Sequence, residues 1–278
     1  MLYLGCPLWA NPNWKSALYA ADTQPAEFLA RYSRYFNSAE GNTTFYADPS
    51  VQTLQRWVQQ TTADFRFVLK VPQRISHQAC ADPVVALQQW LQLVSGLGDK
   101  LALIHLQLSA RSGPGQFAEI EQWVSTISER QRCVLEVRHP AFFDKAEHEI
   151  ALHKMLQRYQ AERVVIDSRA LFSVPADTAA LLDAQRKKPR VPVHVVSFSN
   201  TPMLRFIGVD DMSVNRQHYQ PWLTKVKQWL DEGKSPYCFF HTPDNTFSPQ
   251  LCRQFAQDLA AAHTCLLPWD GEQQLSLL

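Results

Sequence analysis

The chain carries almost no net charge: 27 Lys and Arg stand against 26 Asp and Glu, a formal +1. Such a chain has no global field to draw nucleic acid, so contact with DNA needs a local patch or a recruiting partner. The six cysteines, Cys6, Cys80, Cys133, Cys238, Cys252 and Cys265, never form a Cys-x-x-Cys pair. Neither a zinc knuckle nor a disulfide framework is suggested, and reduced thiols are the simpler account. No Gly-rich phosphate fingerprint follows the first strand-like segment, Leu2 to Gly5, which weakens the case for a doubly wound dinucleotide-binding sheet. Long uncharged apolar runs of membrane-spanning length are missing, as is a basic-then-apolar signal segment at the N-terminus. A cytoplasmic protein is expected. No low-complexity linker divides the chain, so one domain over residues 1–265 is expected, followed by a flexible tail over 266–278.

What is present is alternation. About eight strand-like segments alternate with helical ones, and several of the strands end in a polar residue. The segment Cys133-Val-Leu-Glu-Val-Arg-His-Pro140 sets the pattern. Its apolar run is broken by Glu136, and Glu136 and Arg138 share one strand face because successive side chains point to opposite sides. The pair is either a structural ion pair or part of a site. Elsewhere, Glu40 stands where a strand meets its loop, and Lys70 is the odd residue in the apolar run Phe65–Pro72. His105 and Gln107 share one side of Leu101–Leu108, and Asp167 closes Arg163–Ser168. Arg205 lies in Leu204–Gly208, and the last strand, Pro236–Pro243, has His241 and Asp244 at its end. Val193–Phe198 is also strand-like, whereas Ala170–Val191 is expected to be a long connection. Its basic run Arg186-Lys-Lys-Pro-Arg190 is read as a solvated loop or a phosphate contact. The fold these elements predict is α/β, a single TIM-type (β/α)8 barrel, in which polar residues at the C-terminal strand ends converge on one mouth.

The pieces Glu40-Gly-Asn-Thr-Thr-Phe-Tyr46, Phe67-Val-Leu-Lys-Val-Pro72 with Ser76-His77, Leu135-Glu-Val-Arg-His-Pro140, Asp167 and Arg205-Phe-Ile-Gly208 together resemble the YecE-like family, domain of unknown function 72. The resemblance covers nearly the whole chain. It implies a TIM-type barrel, and the family brings no settled activity. Two departures stand out: members often have His where Ile207 stands, and an Asn-rich final strand end where this chain has His241-Thr-Pro-Asp-Asn245.

Carboxylates interleaved with cations suit an anionic substrate. Glu136 is the first candidate for acid/base work, with Glu40, Lys70 and Asp167 beside it. Lys70 is either a Schiff-base nucleophile or a counter-ion to Glu40 or Glu136. Arg138 and Arg205 are expected to hold a phosphate or carboxylate, with Asn42, Tyr46, His77, Gln107, His139 and His241 also touching the ligand. No cofactor is expected. A divalent metal drawing on Glu40, Glu136, Asp167, His105 and His241 is the alternative, against which the interleaved cations argue. The reading is thus a lyase, isomerase or hydrolase of an anionic substrate, with a non-catalytic ligand-binding barrel as one rival. A second rival comes from Gln274-Leu-Ser-Leu-Leu278, which resembles the peptide that docks bacterial repair proteins on the replicative sliding clamp. Gln274 would bond at a pocket rim while Leu275, Leu277 and Leu278 fill an apolar groove. A protein tethered in this way would work on or near DNA.

Overall fold

The computed structural model describes residues 1–78 and 80–275, the last two in backbone alone. Eight strands, β1 (Tyr3–Gly5), β2 (Ser38–Gly41), β3 (Arg66–Lys70), β4 (Leu101–Gln107), β5 (Cys133–Glu136), β6 (Glu162–Asp167), β7 (Met203–Ile207) and β8 (Tyr237–His241), form one sheet in the order β1-β8-β7-β6-β5-β4-β3-β2. Every ladder is parallel. The helices are α1 (Phe28–Tyr35), α2 (Thr43–Tyr46), α3 (Val51–Gln60), α4 (Gln73–Ser76), α5 (Pro83–Val94), α6 (Phe117–Ser128), α7 (Glu147–Arg158), α8 (Ala179–Lys187), α9 (Met212–Asp231), α10 (Ser248–Asp258) and α11 (Asp270–Leu275). This is the TIM-type barrel that the alternation predicts. Among the described residues, no helix is long and apolar enough to cross a membrane.

The strands are buried on both faces, as parallel sheets require. Outward residues such as Leu69, Leu106, Leu135 and Phe240 meet the helices in the larger apolar cluster. Inward residues Val68, Leu103, Val134, Val164, Met203 and Phe239 form a smaller one. Tyr3 stacks on Tyr237 beneath them, ring centroids 4.3 Å apart.

Between β1 and β2 the barrel closes largely through side chains instead of a ladder. The Tyr32 hydroxyl accepts from Cys6 N–H at 2.7 Å and donates to Ser38 C=O at 3.0 Å. Asn37 works the same way lower down, its Oδ1 accepting from Leu4 N–H and its Nδ2 donating to Leu2 C=O, both at 2.9 Å. One backbone bond, Glu40 N–H to Cys6 C=O at 3.1 Å, completes the seam. Gly5 permits the approach, since a Cβ there would lie 2.0 Å from Ser38 O.

Three segments differ from the sequence reading. Val193–Phe198 is not a strand, and its surroundings supply the reason. Two buried carboxylates hold it against the outside: Glu162 accepts from Ser197 Oγ, Phe198 N–H and Ser199 N–H at 3.0–3.1 Å, and Glu149 lies 2.6 Å from His194 Nδ1. Ala170–Val191 is not all connection, because Thr178 caps Leu181 N–H at 3.1 Å and starts α8. Packing also runs past residue 265, where the tail was expected to begin. Trp269 is buried under Arg253, whose guanidinium sits 4.4 Å from the ring, and Tyr35 donates to Asp270 at 2.7 Å.

Candidate functional site

Strand parity builds a polar mouth. The inward series through Val68 ends in Lys70, and that through Leu103 ends in His105 and Gln107. Two residues beyond Val134, Met203 and Phe239 come Glu136, Arg205 and His241. Glu40 takes the matching place on β2. Glu40, His105, Glu136 and His241 are fully enclosed, and Lys70, Gln107 and Arg205 nearly so.

Arg205 lies at the centre. Its Nε and Nη2 donate to Glu40 Oε2 and Oε1 at 2.7 and 2.9 Å, and its Nη1 to Glu136 Oε2 at 2.6 Å. Glu136 Oε1 accepts from Arg138 Nε at 2.7 Å, while His105 Nε2 lies 3.1 Å from Oε2. Lys70 Nζ stands 2.9 Å from Glu40 Oε1 and donates to Gln107 Oε1 at 2.9 Å. His241 sits beside Glu40, Nε2 to Oε2 3.6 Å. Each buried carboxylate therefore has charged donors on both oxygens, the condition under which burying it is tolerable.

The electrostatics follow from this geometry. Burial would raise the Glu40 and Glu136 carboxyls, yet the guanidinium and ammonium groups around them hold both well below the ordinary value. Burial and Arg205 push Lys70 down to about 8 despite Glu40. His105 falls to about 4, mainly by burial, and His241 to about 3 by burial and the positive charge of Arg205. Both imidazoles are neutral. Among the described residues, neither ring nitrogen of His241, nor Nδ1 of His105, has a hydrogen-bond partner.

Above this floor opens a cavity of about 530 Å³, lined on the barrel side by Lys70, Gln107, Arg138 and Arg205 and at the rim by Leu8, Asn42, Phe45, Tyr46 and His77. Asn42 is fixed by donating to Pro7 C=O at 2.7 Å. Tyr46 is largely exposed. His77 has Nδ1 2.9 Å from Ser76 Oγ and sets its ring at right angles to Phe45. The far wall is the end of α8, Asp183, Ala184 and Lys187, with Lys188 just beyond it.

Of the residues expected to converge, Glu40, Lys70, Gln107, Glu136, Arg138, Arg205 and His241 do so, and Asn42, Tyr46 and His77 stand at the rim. Two do not join. Asp167 lies at the correct end of β6 but on its outer face, because Val164 and Ile166 take the inward positions. It accepts from Trp222 Nε1 of α9 at 2.7 Å and from Arg169 Nε and Nη2 at 2.9 and 2.7 Å. His139 turns away to cap the chain at Ala141 N–H, 3.2 Å from its Nδ1, with its other ring nitrogen against Gly113. Lys188 is the residue that sequence reasoning passed over. Its signal was the basic run, of which Arg186 and Lys187 are satisfied by Asp183 at 3.0 and 2.6 Å. Only a helix ending at Lys187 separates Lys188 from them. Among the described residues, no three His, Cys, Asp or Glu side chains converge to hold a metal ion. The expected clamp-docking residues Gln274, Leu275, Leu277 and Leu278 lie outside the described residues, save for the backbone of the first two.

A family model described as a protein of unknown function, DUF72, matches residues 3–274. The UPF0759 protein YecE of Escherichia coli strain K12 is 40% identical over 263 residues, 93% of this chain and 93% of that protein. Among solved structures, a DUF72 family protein of Enterococcus faecalis V583 superposes with a TM-score of 0.73 at 16% identity, covering 95% of this chain and 97% of the other. A DUF72 family protein of Thermotoga maritima MSB8 gives 0.66 at 18% identity, covering 94% and 99%. These two distant structures speak for the fold. With the family model spanning almost every residue and the YecE sequence matching at this level, the chain belongs to the DUF72 family.

Proposed function

We propose that the barrel mouth binds a small ligand bearing a phosphate or carboxylate, and that the protein is an enzyme whose proton transfers fall to lysines instead of glutamates. The observation that carries this is a charge imbalance: Lys70, Arg138, Lys187, Lys188 and Arg205 line the cavity against one lining carboxylate, Asp183, which is paired with Arg186 and Lys187, whereas Glu40 and Glu136 lie beneath with their oxygens engaged. An anion in the cavity would meet cations only partly neutralised from below. Glu136, the first choice on sequence grounds for acid/base chemistry, is poorly suited to it. It is fully enclosed, and its carboxyl is held ionised far below neutral pH, while a useful acid or base has a pKa near the working pH. Lys70 at about 8 and Lys188 at about 7 meet that condition.

Titration calorimetry with sulfate and with pools of phosphorylated and carboxylated metabolites tests the reading. Binding by the native protein that is lost in Arg138→Leu is expected. Full retention of binding by that variant would move the ligand away from the mouth, and turnover of a bound metabolite would separate an enzyme from a binding barrel.

A further inference from the structure

We infer that Lys188 is an amine nucleophile, forming an imine with the carbonyl carbon of an aldehyde or ketone that bears the phosphate or carboxylate. This rests on the anion-binding reading and deepens it by naming the reactive group of the ligand.

Three observations place the chemistry on this residue. Lys188 lines the cavity and its side-chain amine has no hydrogen-bond or ion-pair partner among the described residues, whereas the neighbouring amines are engaged: Lys70 by Glu40 and Gln107, Lys187 by Asp183. Its backbone is fixed, so the amine is presented from a defined point. Lys188 N–H donates to Ala184 C=O at 2.8 Å, closing α8, and Ser168 Oγ donates to Pro189 C=O at 2.8 Å. The groups facing it from the other elements are Arg205, Lys70, Arg138, Glu40 and His241, and the cations predominate. Burial and then the positive charges of Arg205 and Lys70 lower its pKa to about 7, so much of it is free amine at neutral pH. An unprotonated amine beside fixed cations is how a lysine becomes nucleophilic, and the same cations would dock the ligand's anionic group.

The step balances without an external oxidant. The nitrogen lone pair attacks the carbonyl carbon, a proton passes from nitrogen to oxygen, and the resulting carbinolamine expels its hydroxyl as water to leave C=N. The iminium that forms on protonation is an electron sink for bond cleavage next to the former carbonyl, which a carbonyl-dependent lyase or isomerase needs.

The test is reductive trapping on the full-length protein. Glyoxylate or glyceraldehyde phosphate is added with sodium cyanoborohydride, which delivers hydride to the imine carbon and makes the bond permanent, and peptides are mapped by mass spectrometry. Acetaldehyde, which has no anionic group, is the control. The expected result is one predominant adduct on Lys188, weaker with acetaldehyde, suppressed by sulfate, and absent from Lys188→Arg, which keeps the charge but cannot form the imine. No adduct, label spread over exposed lysines, or label on Lys70 overturns the assignment. Mapping the unaltered protein keeps the test decisive even if the variant folds poorly. Sulfate binding measured alongside distinguishes the two readings: binding without a Lys188 adduct removes the nucleophile and leaves the anion site standing, whereas absence of both removes both.

Discussion

Arg205 and Arg138 serve the same carboxylate from opposite situations. Arg205 is enclosed and also satisfies Glu40, whereas the Arg138 side chain is 18% exposed and Glu136 keeps Arg205 and His105 without it. Removing one partner of a buried ion pair leaves an uncompensated charge, so Arg205→Ala is expected to cost about 3–5 kcal/mol in urea unfolding. Arg138→Leu should cost about 1.5–3 kcal/mol, the loss of the charged donor to Glu136 Oε1, while removing anion binding. Equal destabilisation by the two would make Arg138 structural. The lysines give the mouth a pH signature. Lys70 and Lys188 lose protons at about 8 and 7, and a bound anion favours their charged forms. Binding should therefore take up protons, with affinity strongest below pH 7 and falling as pH rises through 8. Sulfate is the suitable probe because it does not titrate there, and calorimetry in buffers of different ionisation enthalpy reads the proton count directly. Affinity independent of pH across this range would exclude both lysines from the contact.

The seam between β1 and β2 puts a testable cost on one hydroxyl. In Tyr32→Phe, Cys6 N–H and Ser38 C=O lose a buried partner. A stability loss of about 1–3 kcal/mol is expected, the penalty for stranded polar groups, with faster amide exchange confined to β1 and β2. Such a seam is invisible in sequence, because nothing in Tyr32 or Asn37 says that a ladder will be missing where they point. The strands themselves were legible, since apolar runs ending in Glu136, Lys70 or Gln107, or carrying Arg205 within them, announce both an element and its functional residue. Facing was not always legible. In a strand buried on both sides, Val164, Val165 and Ile166 look alike, so no alternation warns that Asp167 points outward. A two-residue spacing of opposite charges does not decide it either: Glu136 and Arg138 carry it on the inner face, Asp167 and Arg169 on the outer. Val193–Phe198 misled for a related reason: its run is strand-like, but what holds it comes from Glu149 and Glu162, distant in sequence.

For the molecule as a whole, acid is the expected weakness. His105 and His241 titrate at about 4 and 3 when folded, below the ordinary 6.5, so between those limits the unfolded chain binds more protons and stability falls as pH falls. Glu40 and Glu136 act in the same direction, their contribution being lost only below 4.5, as pH falls through their depressed folded values. Thermal unfolding across pH should show both stages, with His241→Leu removing on the order of 1–3 kcal/mol of the first; an unchanged upper stage would place the titration in other histidines. Recruitment is a separate proposal, carried by the pattern Gln274-Leu-Ser-Leu-Leu278. Among the described residues, none of α11 lines the mouth. A chain ending at Gln273 keeps Glu272 on Arg253, and it should lose micromolar binding to purified sliding clamp while retaining sulfate binding. An intact chain that ignores the clamp would end the DNA-linked reading. The Arg205 junction has a mechanical consequence. It joins β7 to β5, two strands away in one direction round the ring, and to β2, three away in the other. Three spokes so nearly even brace the circle against flattening, leaving the ligand a rigid floor; any accommodation of differently sized molecules must come from the loops above it.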